Sequence, residues 1–324
     1  MGEATSRRKT LRRVASLLAA NGLVVGMLIV LSTDAAAVVN SCRARDVTKG
    51  TAFRTNLQNV IDAASAGDTI AVKRVCVGHF KISKKLTLVG KATDAVPKPI
   101  LNGNGTNRTL AVSARVTLTN LKITGGVTAP TDNLGGGGIK NTGRLVLKNT
   151  IVSGNTSPTN GGGIYNNGTL ILNGRSSVSG NSSDFDGGGI INGADGVLIL
   201  NDRSSVKNNT AGVAEGLYGR GGGIYNGVGP ITMNDSSTVS ANSAIDSGGG
   251  ILNYGPLTMN DSSSISGNTA DADDVDGGGW ETGGGILNVE CYGSLDGAVD
   301  GGNVDDNDVG SASPFENNIV NQSC

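Results

Sequence analysis

Apolar residues recur along this chain in short alternating pairs, not in long runs. Leu145 and Leu147, Leu170 and Leu172, Leu198 and Leu200, Ile231 and Met233, and Leu257 and Met259 each straddle a single residue. Seven or eight residues after the first member of each pair comes a lone apolar position: Val152, Val178, Val206, Val239 and Ile265. An Asn follows it three residues later, at Asn155, Asn181, Asn209, Asn242 and Asn268. The tetrapeptide Gly-Gly-Gly-Ile closes the unit, ending at Ile139, Ile164, Ile190, Ile224, Ile251 and Ile286, in steps of 25, 26, 34, 27 and 35 residues. A period of two over segments this short predicts strands, and the Gly, Asn and Ser between them predict turns. One unit is therefore three short strands, none able to bury a face alone. Stacked at about 4.8 Å per rung, the units build three parallel sheets around one core. The expected fold is an all-β solenoid of about nine rungs with three strands per rung.

The Ile, Leu and Val columns are the expected core. Gly and Asn at the corners are expected to supply the positive φ of a sharp bend. Two residues after each Ile stands another Asn: Asn141, Asn166, Asn192, Asn226, Asn253 and Asn288. On one strand face at every rung, their amides are expected to hydrogen-bond as a structural ladder. Between Ile and Asn lie Lys140, Tyr165, Ile191, Tyr225, Leu252 and Leu287, an outward stripe that is either a docking surface or covered by neighbouring loops.

The repeats occupy roughly residues 135–290. Before them, residues 38–134 read as a cap followed by irregular rungs; after them, residues 291–324 read as a second cap of the same single domain. Leu57, Val60, Ile61 and Ala64 fall at helical spacing, an amphipathic helix suited to closing the N-terminal end of the coil. Arg7, Arg8, Lys9, Arg12 and Arg13 precede an apolar stretch over residues 14–31 and the small residues Ala35, Ala36 and Ala37. Residues 1–37 thus read as an export signal. Residues 6–12 resemble the twin-arginine motif; a general secretory signal and an uncleaved anchor are the other readings. No second apolar span follows, so the mature chain is expected to be secreted or surface-exposed and free of membrane spans. Its four cysteines are Cys42, Cys76, Cys291 and Cys324. Three pairings exist, and proximity in a rod favours Cys42–Cys76 and Cys291–Cys324.

The Gly-Gly-Gly-Ile-Tyr-Asn and Val-Ser-Gly-Asn repeats resemble those of secreted right-handed parallel β-helix proteins. That group has the pectin-lyase-like fold, and the repeats are similar to those of bacterial polymorphic outer-membrane proteins. Residues 57–70 and 86–90 also resemble the opening segment of such proteins. The resemblance implies a right-handed coil and raises the prospect of polysaccharide cleavage. Polygalacturonase-like enzymes carry Asn-Thr-Asp, Asp-Asp, Gly-His-Gly and Arg-Ile-Lys motifs. Here the one histidine, His79, lies in Val-Gly-His-Phe, and Asn-Thr-Asp, Gly-Asp-Asp and Arg-Ile-Lys do not occur. No catalytic residue is assigned. The reading that results is a non-enzymatic structural or adhesive protein with polysaccharide binding; the alternative is a lyase or glycoside hydrolase with an unrecognised site.

Composition sharpens this picture in three places. First, 52 glycines in 324 residues are more than twice the usual share, as a chain of tight turns requires. A single His excludes a multi-histidine metal centre. Second, two units are longer than the rest, with insertions over 210–220 and 269–282 leaving one corner of the coil. They carry Glu215, Tyr218 and Arg220 in the first, and Asp271, Asp273, Asp274, Asp276, Trp280 and Glu281 in the second. Loops on a rigid scaffold are where binding concentrates, so these nine residues are the candidate ligand site. The four aspartates are also weak candidates for Ca²⁺, the one cofactor the sequence leaves open. Third, residues 38–220 hold 21 basic and 10 acidic side chains, while residues 221–324 hold 15 acidic and no basic ones. In a linear coil such a split puts opposite fields at the two ends. The expected partner of the basic part is an acidic cell-surface polymer or the acidic end of another copy, and not nucleic acid.

Overall fold

The computed structural model describes residues 39–132, 135–213, 218–270 and 284–289, and the backbone of 303–305 and 319–322. The chain winds as a solenoid whose coils visit three sheets in turn. In one coil the first sheet receives Arg144–Lys148, the second Ile151–Ser153 and the third Ile164–Asn166. Among the described residues each of these sheets holds nine strands. All neighbours are parallel except the first strand, Arg43–Asp46, which lies antiparallel on Thr69–Lys73 and closes the first sheet.

Register follows the repeat. Ile139, Ile164, Ile190, Ile224, Ile251 and Ile286 face one another rung by rung, and the Leu and Val columns do the same. These side chains are buried and form one continuous core, each worth about 1.5–3 kcal/mol on burial. The stretch before the repeats, expected to be irregular, holds the same parallel register: Phe80 faces Leu110 and Leu110 faces Ile139. Its irregularity lies in the connections, such as residues 91–99 between the strands ending at Gly90 and beginning at Ile100, and not in the strand pairing. Any aliphatic side chain of suitable volume fills an inward position, so the coil persists where the motif fades.

The N-terminal end is closed by α1 (Leu57–Ala63), the one helix among the described residues. Asn56 caps it by accepting the backbone N–H of Asn59, and Leu57, Val60 and Ile61 enter the core. A disulfide joins Cys42 to Cys76 and ties the cap to the second sheet. Cys291, Cys324 and residues 1–37 lie outside the described residues. Among the described residues no helix is long and apolar enough to cross a membrane.

Two expectations change. A fourth, short sheet of two-residue strands joins the second to the third in four coils: Thr156–Ser157, Ser182–Ser183, Thr210–Ala211 and Ser243–Ala244. Its inward residues Ser157, Ser183, Ala211 and Ala244 are buried and small, so they lack the bulky apolar signature that marks a core strand. The positive φ at this corner falls not on the Asn but on the residue before it: Gly154, Gly180, Asn208, Ala241 and Gly267, between 51° and 63°. The Asn turns inward instead and makes a second ladder. Asn155 donates from Nδ2 to Oδ1 of Asn181, Asn181 to Asn209, Asn209 to Asn242 and Asn242 to Asn268, all at 2.9 Å. Each Oδ1 also accepts the backbone N–H of the preceding Asn.

The expected ladder forms as well. Asn141, Asn166, Asn192, Asn226, Asn253 and Asn288 are linked in order at 2.7–2.8 Å and buried. The glycine triplets permit close approach of successive coils. A Cβ on Gly188 would stand 2.3 Å from the carbonyl oxygen of Thr210, so no other residue fits there.

Candidate functional site

The corner preceding the third sheet stacks Asn160, Asp186, Arg220 and Ser247, each immediately before a glycine triplet. Asp186 and Arg220 therefore meet on neighbouring coils. Arg220 donates to Asp186 from its backbone N–H (3.2 Å), from Nε (3.0 Å) and from Nη2 (2.9 Å), a bidentate pair. Asp186 is held in turn by its own N–H on the side chain of Asn160. The guanidinium also stands 5.7 Å from the ring centre of Tyr225, whose ring lies 5.7 Å from that of Tyr254. Burial disfavours the charge on Arg220, but hydrogen bonding and charge from Asp186 outweigh it and hold the pKa above its ordinary value. Burial chiefly, then Tyr254 and Asp186, push the Tyr225 hydroxyl up to about 12.

Arg220 thus serves as a clamp, half-buried between a carboxylate and a ring, and not as a free cation. Two positions before it, Tyr218 is 76% exposed, and next to Asp186, Phe185 is 36% exposed. The clamp fixes the backbone between these two aromatics, which stand on neighbouring coils of one corner. Val213, 50% exposed, lies in the same insertion. Of the sequence candidates, Tyr218 and Arg220 are placed at this corner. Glu215 and the whole second set, Asp271, Asp273, Asp274, Asp276, Trp280 and Glu281, lie outside the described residues.

Asp186, Phe185 and Tyr254 were not among the sequence candidates. Aligning the residue before each glycine triplet exposes the first, because opposite charges occupy one repeat position in consecutive units. The outward stripe is in register from Lys140 to Leu287, but its apolar members are covered. Gly161 and Gly187 lie against Ile191, and Tyr225, Tyr254 and Val289 pack on Leu252 and Leu287.

A second feature sits at the corner between the first and second sheets, an open depression of about 470 Å³ that includes Arg175, Arg203, Asp202 and Asp235. Asp202 and Asp235 have positive φ and stack on successive coils. Asp202 accepts the backbone N–H of Gly174, Asp235 that of Asp202, and Asp261 that of Asp235. These carboxylates close the turn beneath them. His79 donates from Nδ1 to the carbonyl oxygen of Arg108. Among the described residues no three His, Cys, Asp or Glu side chains converge as a cation site. Scans of the chain against family models, curated proteins and solved structures return no match.

Proposed function

We propose that this chain is an exported, non-enzymatic scaffold at the cell surface or outside the cell, structural and adhesive, whose exposed corner binds polysaccharide. The observation that carries the reading is the pair of solvent-facing aromatics, Phe185 and Tyr218, beside the Asp186–Arg220 clamp on a rigid coil. Aromatic faces stack on sugar rings, and a preorganised platform loses little freedom on binding. The Cys42–Cys76 disulfide supports passage through an oxidising compartment, in keeping with the leader at residues 1–37. The right-handed sense of the coil and its kinship with pectin-lyase-like proteins belong to the same reading.

The runner-up is cleavage of polysaccharide at the Asp202–Asp235 depression, where two carboxylates stand on adjacent coils and glycoside cleavage uses two carboxylates. One experiment separates the two. The protein and its Tyr218→Ala and Asp235→Asn variants are incubated with a panel of neutral and acidic polysaccharides, with and without Ca²⁺. Retention on neutral polysaccharide lost in Tyr218→Ala, with no release of reducing or unsaturated ends from any member of the panel, supports the scaffold. Release of either end, abolished in Asp235→Asn, overturns it.

A further inference from the structure

Residues 39–150 hold 17 basic and 5 acidic side chains, and the coil sorts them. Asp46 and Asp68 are buried around Lys49, and Asp132 is paired with Arg108. Asp62 lies on the cap helix and Asp94 in the turn after the strand Leu86–Gly90. The outer face of the first sheet is left with cations alone. Arg43 and Arg45 stand on the antiparallel cap strand, with Arg43 facing Lys73. Lys91 follows in register, one position beyond the Val72–Gly90 pair. On the other margin Arg115 faces Arg144, and Lys85 precedes Leu86 in the same column. Lys148 ends the fourth coil's strand. Arg43, Lys85, Lys91, Arg115, Arg144 and Lys148 are exposed.

Five neighbouring strands span about 19 Å at the usual spacing. Across that span the outward positions hold no Asp or Glu. At the upper edge the heads of Arg43, Arg45 and Lys73 lie 5.7, 4.8 and 5.1 Å from the ring centre of Phe53, which gathers them in one place. Nε of Arg45 is buried there without a hydrogen-bond partner. Like charges stacked rung over rung repel one another, and a bound polyanion relieves that repulsion along the whole column.

We infer that the outer face of the first sheet over its first five strands is a docking surface for a linear carboxylated polysaccharide. The cations are spread over five strands and two margins, so the face suits an extended polymer and not a compact ligand. Its one aromatic, Phe53, is already covered by cations and offers no platform for stacked bases. Between the cations stand short side chains, Ala71, Thr87, Val89, Thr117, Thr119 and Val146, too short to enter a bilayer as a membrane-binding face does. The inference takes its class of ligand from the polysaccharide reading above, but it places the contact on a different face from the Tyr218 corner.

The test is retention of the purified protein on immobilised polygalacturonate across a salt series, with circular dichroism as the folding control. Charge screening predicts retention that falls steeply toward physiological ionic strength. Arg115→Glu/Arg144→Glu should weaken binding by about tenfold or more. Lys122→Glu/Lys207→Glu makes the same net-charge change on the outer face of the second sheet and should weaken it far less. Equal loss in both pairs, retention flat with salt, or stronger displacement by single-stranded DNA or anionic vesicles than by free polygalacturonate would each overturn the inference. Tyr218→Ala should leave this retention intact. If it alone abolishes binding, the cationic face is refuted while the corner reading stands; if neutral polysaccharide does not bind the corner, that reading falls without touching this one.

Discussion

The coils before residue 135 and those after it share one backbone path and solve the interior differently. In the repeats, two fully buried columns of amides run through the protein; in the early coils the first of these columns is apolar. Asn141 faces Val112 on the coil before it, and Val112 faces Ile82. The ladder ends cleanly at that boundary because the Oδ1 of Asn141 takes the N–H of Gly143, and the second ladder ends where Oδ1 of Asn155 takes the N–H of Gly126. A buried amide is tolerable only when the coils above and below supply its partners. Repetition meets that condition automatically. Where the sequence stops repeating, the interior turns aliphatic, and a helix, an antiparallel strand and a disulfide hold the end instead. The difference extends to the outer face of the first sheet: cations recur on its strands as far as Lys148, and the later strands of that sheet present hydroxyl, amide and aliphatic side chains there.

The largest expected effect breaks what the two regions share. Ile224→Asp, fully buried in the Ile column, places an unpaired charge among aliphatics and should cost several kcal/mol, a large part of a domain's whole margin. Far-ultraviolet circular dichroism and thermal melting should both collapse; a variant with an unchanged melt would show the register to be wrong. Next, Cys42→Ala/Cys76→Ala removes the closure of a 34-residue separation, worth about 3–4 kcal/mol by chain entropy. Hydrogen exchange should rise in the cap and early coils and stay slow in the repeats. Equal loosening everywhere would deny that the two regions are held differently.

The amide ladder gives a finer contrast. Asn192→Ala takes one acceptor from Asn166, whose amide keeps the carbonyls of Gly168 and Val197, and removes the amide donor to the Oδ1 of Asn226; it should cost about 1–3 kcal/mol in a denaturant melt. Placing an amide at 112 should cost less than placing one at 82, because Val112→Asn meets Asn141 while Ile82→Asn meets only apolar neighbours. The reverse order would mean that ladders need more than an aligned partner. The smallest effect is electrostatic. With its pKa pushed up to about 12, against about 10 unfolded, Tyr225 contributes stability that is complete below pH 10. That contribution is lost as pH rises through 12. Ultraviolet absorbance should show a late-ionising tyrosine that disappears in Tyr225→Phe.

Strand type, the three long sheets, the core columns and one ladder were legible in the sequence because each depends on a period of two repeated at fixed intervals. Core burial and strand stacking act on every unit alike, so six copies of Ile and Asn at one position state the rule six times. The Cys42–Cys76 pairing was legible for a related reason, since neighbours in a coil are neighbours in space. The fourth sheet was not, because two-residue strands with Ser or Ala inside carry no apolar signal. Nor was the inward turn of Asn155 and its equivalents. Its cause is the positive φ of the residue before, which swings the amide from the corner into the core. The candidate corner divides the same way. Sequence marked Tyr218 and Arg220 by the length of their insertion, but Arg220 is bound to Asp186 and covered by Tyr225. Those contacts are 34 and 5 residues away along the chain, and only the stacking of coils brings them together. Sequence order assigned positive charge to the N-terminal part; the alternation of in and out along each strand decided which of those cations share the outer face of the first sheet.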